Sequence, residues 1–187
     1  VALRPVQQAA GSEPMPYVMG DDPEHMNADA VIAARSLRRA LIRVGGRSVG
    51  VVANNPLHLG GVLDVDSADK AAKFVQICDA FGIPLLFLQD TPGFVIGSKV
   101  ERAGIIRHGA KMLHYVASAT VPKLCVLVRK AYGAGYYAMN GRAYEPDWIV
   151  AWPTAEIAVM GPEGMVSIFA QKKLREMGPS IGADRPE

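Results

Sequence analysis

Leu85-Leu86-Phe87-Leu88-Gln89-Asp90-Thr91-Pro92-Gly93-Phe94 joins a four-residue apolar run to a proline–glycine turn, and this junction decides the fold class. A run so short and so continuously apolar predicts a β-strand covered on both faces, as in a parallel sheet. Upstream, Ala68, Ala71, Ala72, Val75, Cys78 and Phe81 recur at three- and four-residue spacing. They predict a helix capped by Asp66 or Ser67 and stopped by Gly82 before Pro84. Downstream, a second helix is predicted from about Ser98, with Ile106, Ala110, Leu113 and Ala117 on one side; Pro122 ends that unit and opens the strand-like run Lys123–Val128. Such alternation of strand and helix marks an α/β domain whose helices cross between parallel strands.

The flanks extend the pattern. Ala30, Ala33, Ala34, Leu37 and Leu41 stand at helical spacing and predict a helix over 27–41 with one apolar stripe. Ile42 and Val44 lead through Gly45-Gly46 to Ser48–Val52, the signature of two strands joined by a tight glycine turn. Past the third crossover, Gly133 and Gly135 open a short helix containing Tyr136, Tyr137 and Met139. Trp148–Trp152 and Glu156–Met160 predict two more strands, and Pro162-Glu163-Gly164 introduces an amphipathic helix through Leu174. Residues 1–26, with Pro5, Pro14, Pro16 and Pro23, carry no period and read as a flexible arm or linker. Residues 27–177 form the one domain and 178–187 a tail.

Composition removes several classes of function. With 187 residues, half of them hydrophobic, the chain closes a single core. A net charge of +2 falls short of the basic face a phosphate-tracking protein needs, so no nucleic-acid partner is expected. The longest apolar runs are far shorter than the ~20 residues that cross a bilayer, so no membrane partner is expected either. Residues 1–25 show no signal-peptide pattern, and the expected location is cytoplasmic, or the mitochondrial matrix for a eukaryotic source. Cys78 and Cys125 sit in apolar segments and read as small buried hydrophobes of a reducing compartment. His25, His58, His108 and His114 are scattered, and no metal site is expected from them.

The usual catalytic vocabulary is missing: no G-x-S-x-G, Walker loop, H-E-x-x-H or C-x-x-C occurs, and the carboxylates are dispersed. What stands out instead is backbone. Glycine-containing turns follow strands at Thr91–Phe94 and at Tyr132-Gly133-Ala134-Gly135-Tyr136, the second opening a helix. Unpaired N–H groups at such a junction stabilise an oxyanion, because their positive end is in place before charge develops. The same glycines also serve tight turns and close strand–helix packing with no ligand at all. Arg102, Arg107, Lys111 and Arg129-Lys130 are candidate contacts for carboxylate or phosphate, against the ordinary reading of solvated charges. Glu156 and Glu163 read as structural or capping groups, and Trp148 and Trp152 as packing anchors, with a subunit surface as a candidate place for them.

Several segments together carry a family resemblance: Arg47–Pro56, Ser67–Phe74, Pro84–Phe94, Gly104–Leu113, Arg129–Gly135 and Ala151–Gly164. In order and spacing, residues 42–175 resemble the C-terminal half of the carboxyltransferase (β) subunit of biotin-dependent acyl-CoA carboxylases. The resemblance implies a crotonase-like (ClpP/crotonase) fold, a spiral of ββα units, here as a single C-terminal-half domain. It also implies an enzyme that needs few side-chain catalysts. Carboxybiotin on a partner domain delivers CO2 to the α-carbon of an acyl-CoA, while backbone donors hold the biotin ureido oxygen. Carried over by position, those donors are the N–H groups of Ala134 and Gly135, with Gly133 giving the turn its freedom. Thr91, Pro92, Gly93, Phe94 and Val95 are implied to line the same pocket. Tyr137 stands where propionyl-type relatives carry an aspartate that influences acyl choice, which leaves the acyl group open; a core role for Tyr137 and Met139 is the alternative.

The cofactor implied is biotin, with acyl-CoA as substrate and no metal. The implied partners are a biotin carboxyl carrier, a biotin carboxylase component, and either a second copy or another chain that supplies the N-terminal acyl-CoA half. Two alternatives accompany this reading: an acyl-CoA decarboxylase subunit of the same fold, and a non-catalytic scaffold fragment.

Overall fold

Residues 34–176 are described by the computed structural model. Strand β1 (Leu37–Val44) pairs antiparallel with β2 (Arg47–Asn54) across the Gly45-Gly46 turn, from Leu37 opposite Asn54 to Val44 opposite Arg47. Helix α1 (Val65–Ala80) then crosses to β3 (Leu85–Thr91), which lies parallel to β2. A five-residue helix α2 (Ser98–Arg102) and the longer α3 (Ile105–Ser118) cross to β4 (Lys123–Tyr132), parallel to β3. A short helix α4 (Gly133–Ala138) precedes β5 (Trp148–Ala151) and β6 (Glu156–Ala158), both paired in parallel with β4, and α5 (Pro162–Glu176) follows. The sheet runs β1-β2-β3-β4-β5, with β6 joined to the far end of β4.

Local chemistry explains the boundaries. Asp64, rather than Asp66 or Ser67, caps α1: its carboxylate accepts from the Ser67 N–H at 2.7 Å while the Ser67 hydroxyl oxygen accepts from the Asp64 N–H at 2.8 Å. This reciprocal box satisfies two orphan donors at once. Phe81 lies just past the helix and is exposed, so it does not continue the buried face of Ala68, Ala71, Ala72, Val75 and Cys78. The predicted helix over 27–41 is not formed at its C-terminal end, where Leu37–Val44 is strand; 27–33, like the arm 1–26 and the tail, lie outside the described residues. Eight paired positions with β2 outweigh a weak helical stripe, because they satisfy the polar backbone of an otherwise bare edge.

The core lies on one face of the sheet. Leu85 and Phe87 of β3 and Cys125 and Leu127 of β4 share it with Phe74 and Val75 of α1 and Met112 and Val116 of α3. Leu86, Leu88, Leu124 and Val126, which point the other way, are only half-buried. The apolar run of β3 is therefore covered on one face within the described residues, not on both as its composition predicts. β4 continues past Val128 because Gln89 pairs with Leu127 and Thr91 with Ala131, setting four residues of β4 against two of β3. The Asp90 carboxylate fills that irregularity by accepting from the Lys130 N–H at 3.2 Å and from Arg129 Nε at 3.3 Å.

Candidate active site

The two glycine-containing junctions meet at the ends of β3 and β4. In the first, the Thr91 hydroxyl accepts from the Gly93 N–H at 3.2 Å. Leu63 pins the turn from the side, donating to the Gly93 carbonyl at 2.9 Å and accepting from the Val95 N–H at 2.8 Å. In the second, Tyr132 leaves β4 in extended backbone and Gly133 turns the chain at φ +54°. Ala134 and Gly135 follow in the first turn of α4, where backbone N–H groups have no intrahelical acceptor. Among the described residues no backbone acceptor outside the helix is bonded to either.

Gly135 is where the junctions touch. A β-carbon there would stand 2.8 Å from Gly93 Cα and 3.0 Å from Thr91 Cγ2, so only glycine lets the start of α4 settle on the turn. Beside this contact opens a cleft of about 380 Å³. Ala134 forms one wall, Phe94, Val95 and Ile96 the approach, and α3 the other wall through Ile105, Ile106, Gly109, Ala110 and Leu113. Glu101 is the one ionisable side chain in this lining.

The sequence-predicted residues divide by place. Phe94, Val95 and Ala134 line the cleft. Gly135, Thr91 and Gly93 form the packed seat behind Ala134, and Gly133 bends the chain beneath the carbonyl of Val159, which a β-carbon would approach at 3.0 Å. Pro92 is exposed and is not among the cleft-lining residues. Tyr137, one turn after Ala134, is 46% exposed, whereas Met139 is fully buried in the core. The cleft wall on α3 was signalled by the stripe Ile106, Ala110, Leu113 and Ala117: the four do share a side, but Ile106, Ala110 and Ala117 are exposed, and Ile105, Gly109, Met112 and Val116 are the buried positions. Glu101 and Ile96 carry no such signal, since neither belongs to the apolar stripe of the helix predicted from about Ser98.

The remaining polar groups are structural. Arg129 and Lys130 are engaged by Asp90, and Lys130 Nζ donates to the Gly60 carbonyl at 2.9 Å. Lys111 pairs with Asp69. Glu156 accepts from the Tyr132 hydroxyl, and this bond, with some burial, raises the phenol above its ordinary range. Burial pushes the Cys78 thiol up to about 11 and that of Cys125 to about 12, so neither is a thiolate nucleophile near neutrality. Trp148 and Trp152 are more than half exposed and do not anchor the core.

A model of the carboxyl transferase domain matches residues 30–180. The chain belongs to the carboxyl transferase domain family. The match begins twelve residues before the 42–175 stretch that carries the resemblance. An uncharacterized carboxylase, YngE of Bacillus subtilis (strain 168), is 63% identical over 144 residues, covering 77% of this chain and 28% of the relative. The methylmalonyl-CoA decarboxylase subunit alpha of Propionigenium modestum is 50% identical over 143 residues, covering 76% and 28%. Among solved structures, transcarboxylase 12S with methylmalonyl-coenzyme A and methylmalonic acid bound superposes with a TM-score of 0.70 at 54% identity, covering 73% of this chain and 27% of that one. The carboxyl transferase domain here thus has the crotonase-like α/β fold of an enzyme family and spans less than a third of the length of these relatives.

Proposed function

We propose that the chain is the biotin-side part of the carboxyltransferase component of a biotin-dependent acyl-CoA carboxylase, serving transfer of CO2 from carboxybiotin to the α-carbon of an acyl-CoA. The observation that carries this reading is the start of α4, where the Ala134 and Gly135 N–H groups have no backbone partner among the described residues and Ala134 lines an apolar cleft. The lining fits a small uncharged bicycle: Phe94, Val95, Ile105 and Ile106 offer apolar surface, and Ala134 is part of the same lining. Bound carboxybiotin supplies the carboxyl group. The protein's own contribution is electrostatic, since donors fixed at a helix start need no reorganisation as negative charge grows on a ureido oxygen.

Thr91 and Gly93 hold Gly135 in place and Gly133 sets the turn; in this reading the exposed Tyr137, one turn past Ala134, is the contact for the acyl substrate. The partners in this reading are a biotin carboxyl carrier, a biotin carboxylase component and an acyl-CoA half from a second copy or another chain, in a cytoplasmic setting. A second reading runs the transfer from acyl-CoA to biotin as a decarboxylase subunit; the 50% identity to methylmalonyl-CoA decarboxylase subunit alpha favours keeping it. A non-catalytic scaffold would share the fold and lack the ligand.

Titration of the purified chain with free biotin and with a biotinylated carrier domain, for wild type and Ala134→Pro, tests the reading. Proline deletes one donor while its fixed φ suits a first helical turn. The expected result is binding that weakens by roughly tenfold in the variant with an unchanged circular dichroism spectrum. A folded wild type that binds neither probe favours the scaffold.

A further inference from the structure

α3 works on two sides. Ile105, Ile106, Gly109, Ala110 and Leu113 face the cleft, whereas His108 and Lys111, roughly opposite at 100° per residue, reach to α1. There the Asp69 carboxylate is shared: Oδ2 accepts from His108 Nδ1 at 2.8 Å and Oδ1 from Lys111 Nζ at 3.1 Å. Burial raises the Asp69 carboxyl, and the bonds from His108 and Lys111 more than offset this, leaving it below its ordinary value. His108 is the more sheltered partner, its side chain 22% exposed against 49% for Lys111. An ionised carboxylate only accepts, so His108 Nδ1 carries a proton and donates it in this hydrogen bond.

The start of α3 needs such an anchor. Its N-cap is Gly104, which has no side chain to bond the first turn, and the helix before it is five residues long. On the cleft side the first turns rest on the Phe94 ring, which a β-carbon at Gly109 would approach at 3.1 Å. We propose that Asp69 and His108 are positioning residues for the cleft: their bond fixes how α3 stands over Phe94 and hence the width offered to the ligand. This inference rests on the biotin-side reading for the ligand's identity, but the coupling of Asp69 to the cleft wall is a separate property.

Asp69→Ala, Asp69→Asn and Lys111→Ala in the whole chain test it with two readouts. Without ligand, amide exchange and chemical shifts of 105–109, Phe94 and Ala134 are followed by nuclear magnetic resonance, together with the nitrogen signals of the His108 ring. Asp69→Ala is expected to speed exchange in the first turn of α3 and move the Phe94, Gly109 and Ala134 signals. Asn at 69 keeps an oxygen to accept the Nδ1 proton and restores both, and Lys111→Ala leaves them in place. With biotin as probe, Asp69→Ala weakens binding roughly three- to tenfold and Asp69→Asn recovers it. Unmoved cleft signals in a folded Asp69→Ala, or an Asp69→Asn no better than it, overturn the proposal. Should the wild type not bind biotin, the biotin-side reading falls while the ligand-free signals still decide the clamp.

Discussion

At Gly135 one missing methyl group sets the distance between two loops that are 42 positions apart in the chain. Gly135→Ala forces the start of α4 off the Thr91–Gly93 turn, because the nearest atom, Gly93 Cα, is backbone and cannot rotate away. The expected cost is about 1–3 kcal/mol, read as a lower urea midpoint, with biotin binding lost together with it. The two cysteines give a second residue-scale expectation. Both are buried and their thiols are raised to about 11 and 12, so a thiol reagent at pH 8 labels neither until the chain unfolds. Labelling of the native chain at the rate of a free thiol would contradict the burial. Sequence placed both cysteines correctly, since an apolar neighbourhood is a local property. The resemblance marks Gly135 as an N–H donor, but spacing does not show why it must lack a side chain, because that reason lies in a turn reached only through the fold.

Helix α1 is tied at two points by the carboxylates of Asp79 and Asp69, both held below their ordinary values, while a third carboxylate, Asp66, is raised. Burial raises Asp79, but the Thr120 N–H, the Val121 N–H and the Thr120 hydroxyl more than offset it and leave it below its ordinary value; Asp69 is likewise lowered by His108 and Lys111. Such groups stabilise the fold above the unfolded carboxylate value of about 3.9, and that stabilisation is lost as pH falls through their depressed values. Asp66 is raised, first by burial and then by the neighbouring carboxylates of Asp64 and Asp69, against a smaller pull from His108. Its contribution is present in acid and lost as pH rises through its raised value. Urea midpoints from pH 7 to 3 are therefore expected to fall on the acid side, with a shallower fall in Asp79→Asn. An Asp66→Asn variant should be slightly more stable than wild type at neutral pH; a less stable one contradicts the sign.

The α3 stripe is instructive at the same scale. Periodicity located a helix and an apolar side, but it could not say whether that side faced a core or a ligand. In the fold Gly109 packs on Phe94 and His108 pairs with Asp69, while Ile106 and Ala110 stay exposed in the cleft lining.

At the scale of the molecule, apolar surface is left uncovered among the described residues. Leu86, Leu88, Leu124 and Val126 leave the second face of the sheet half open, and Ile157, Val159, Val166, Ile168 and Phe169 are each more than half exposed. Exposed apolar area of this kind marks an association surface. The chain also covers only 27–28% of the relatives described above, and the rest of such a protein is where a cover for these residues would come from. Sedimentation velocity is expected to show concentration-dependent association of the chain, reduced in Ile168→Asp/Phe169→Asp. Equal sedimentation of wild type and variant at all concentrations would place the association elsewhere.

Sequence by itself determined the α/β class, the β1–β2 hairpin, the helix before β3, both glycine junctions and the family. The family comes from the resemblance over residues 42–175, and the rest from short-range patterns: apolar spacing and glycines at turns. Only the tertiary structure decided that 37–41 is strand rather than helix, that the β3 run is covered on one face, and that α3 turns an apolar side to the cleft. Those outcomes depend on which distant segment packs against which: β2 against β1, Phe94 under Gly109, Asp69 against His108. Spacing along a chain cannot encode them, because the competing arrangements satisfy the same local pattern and differ only in contacts made after the chain has folded.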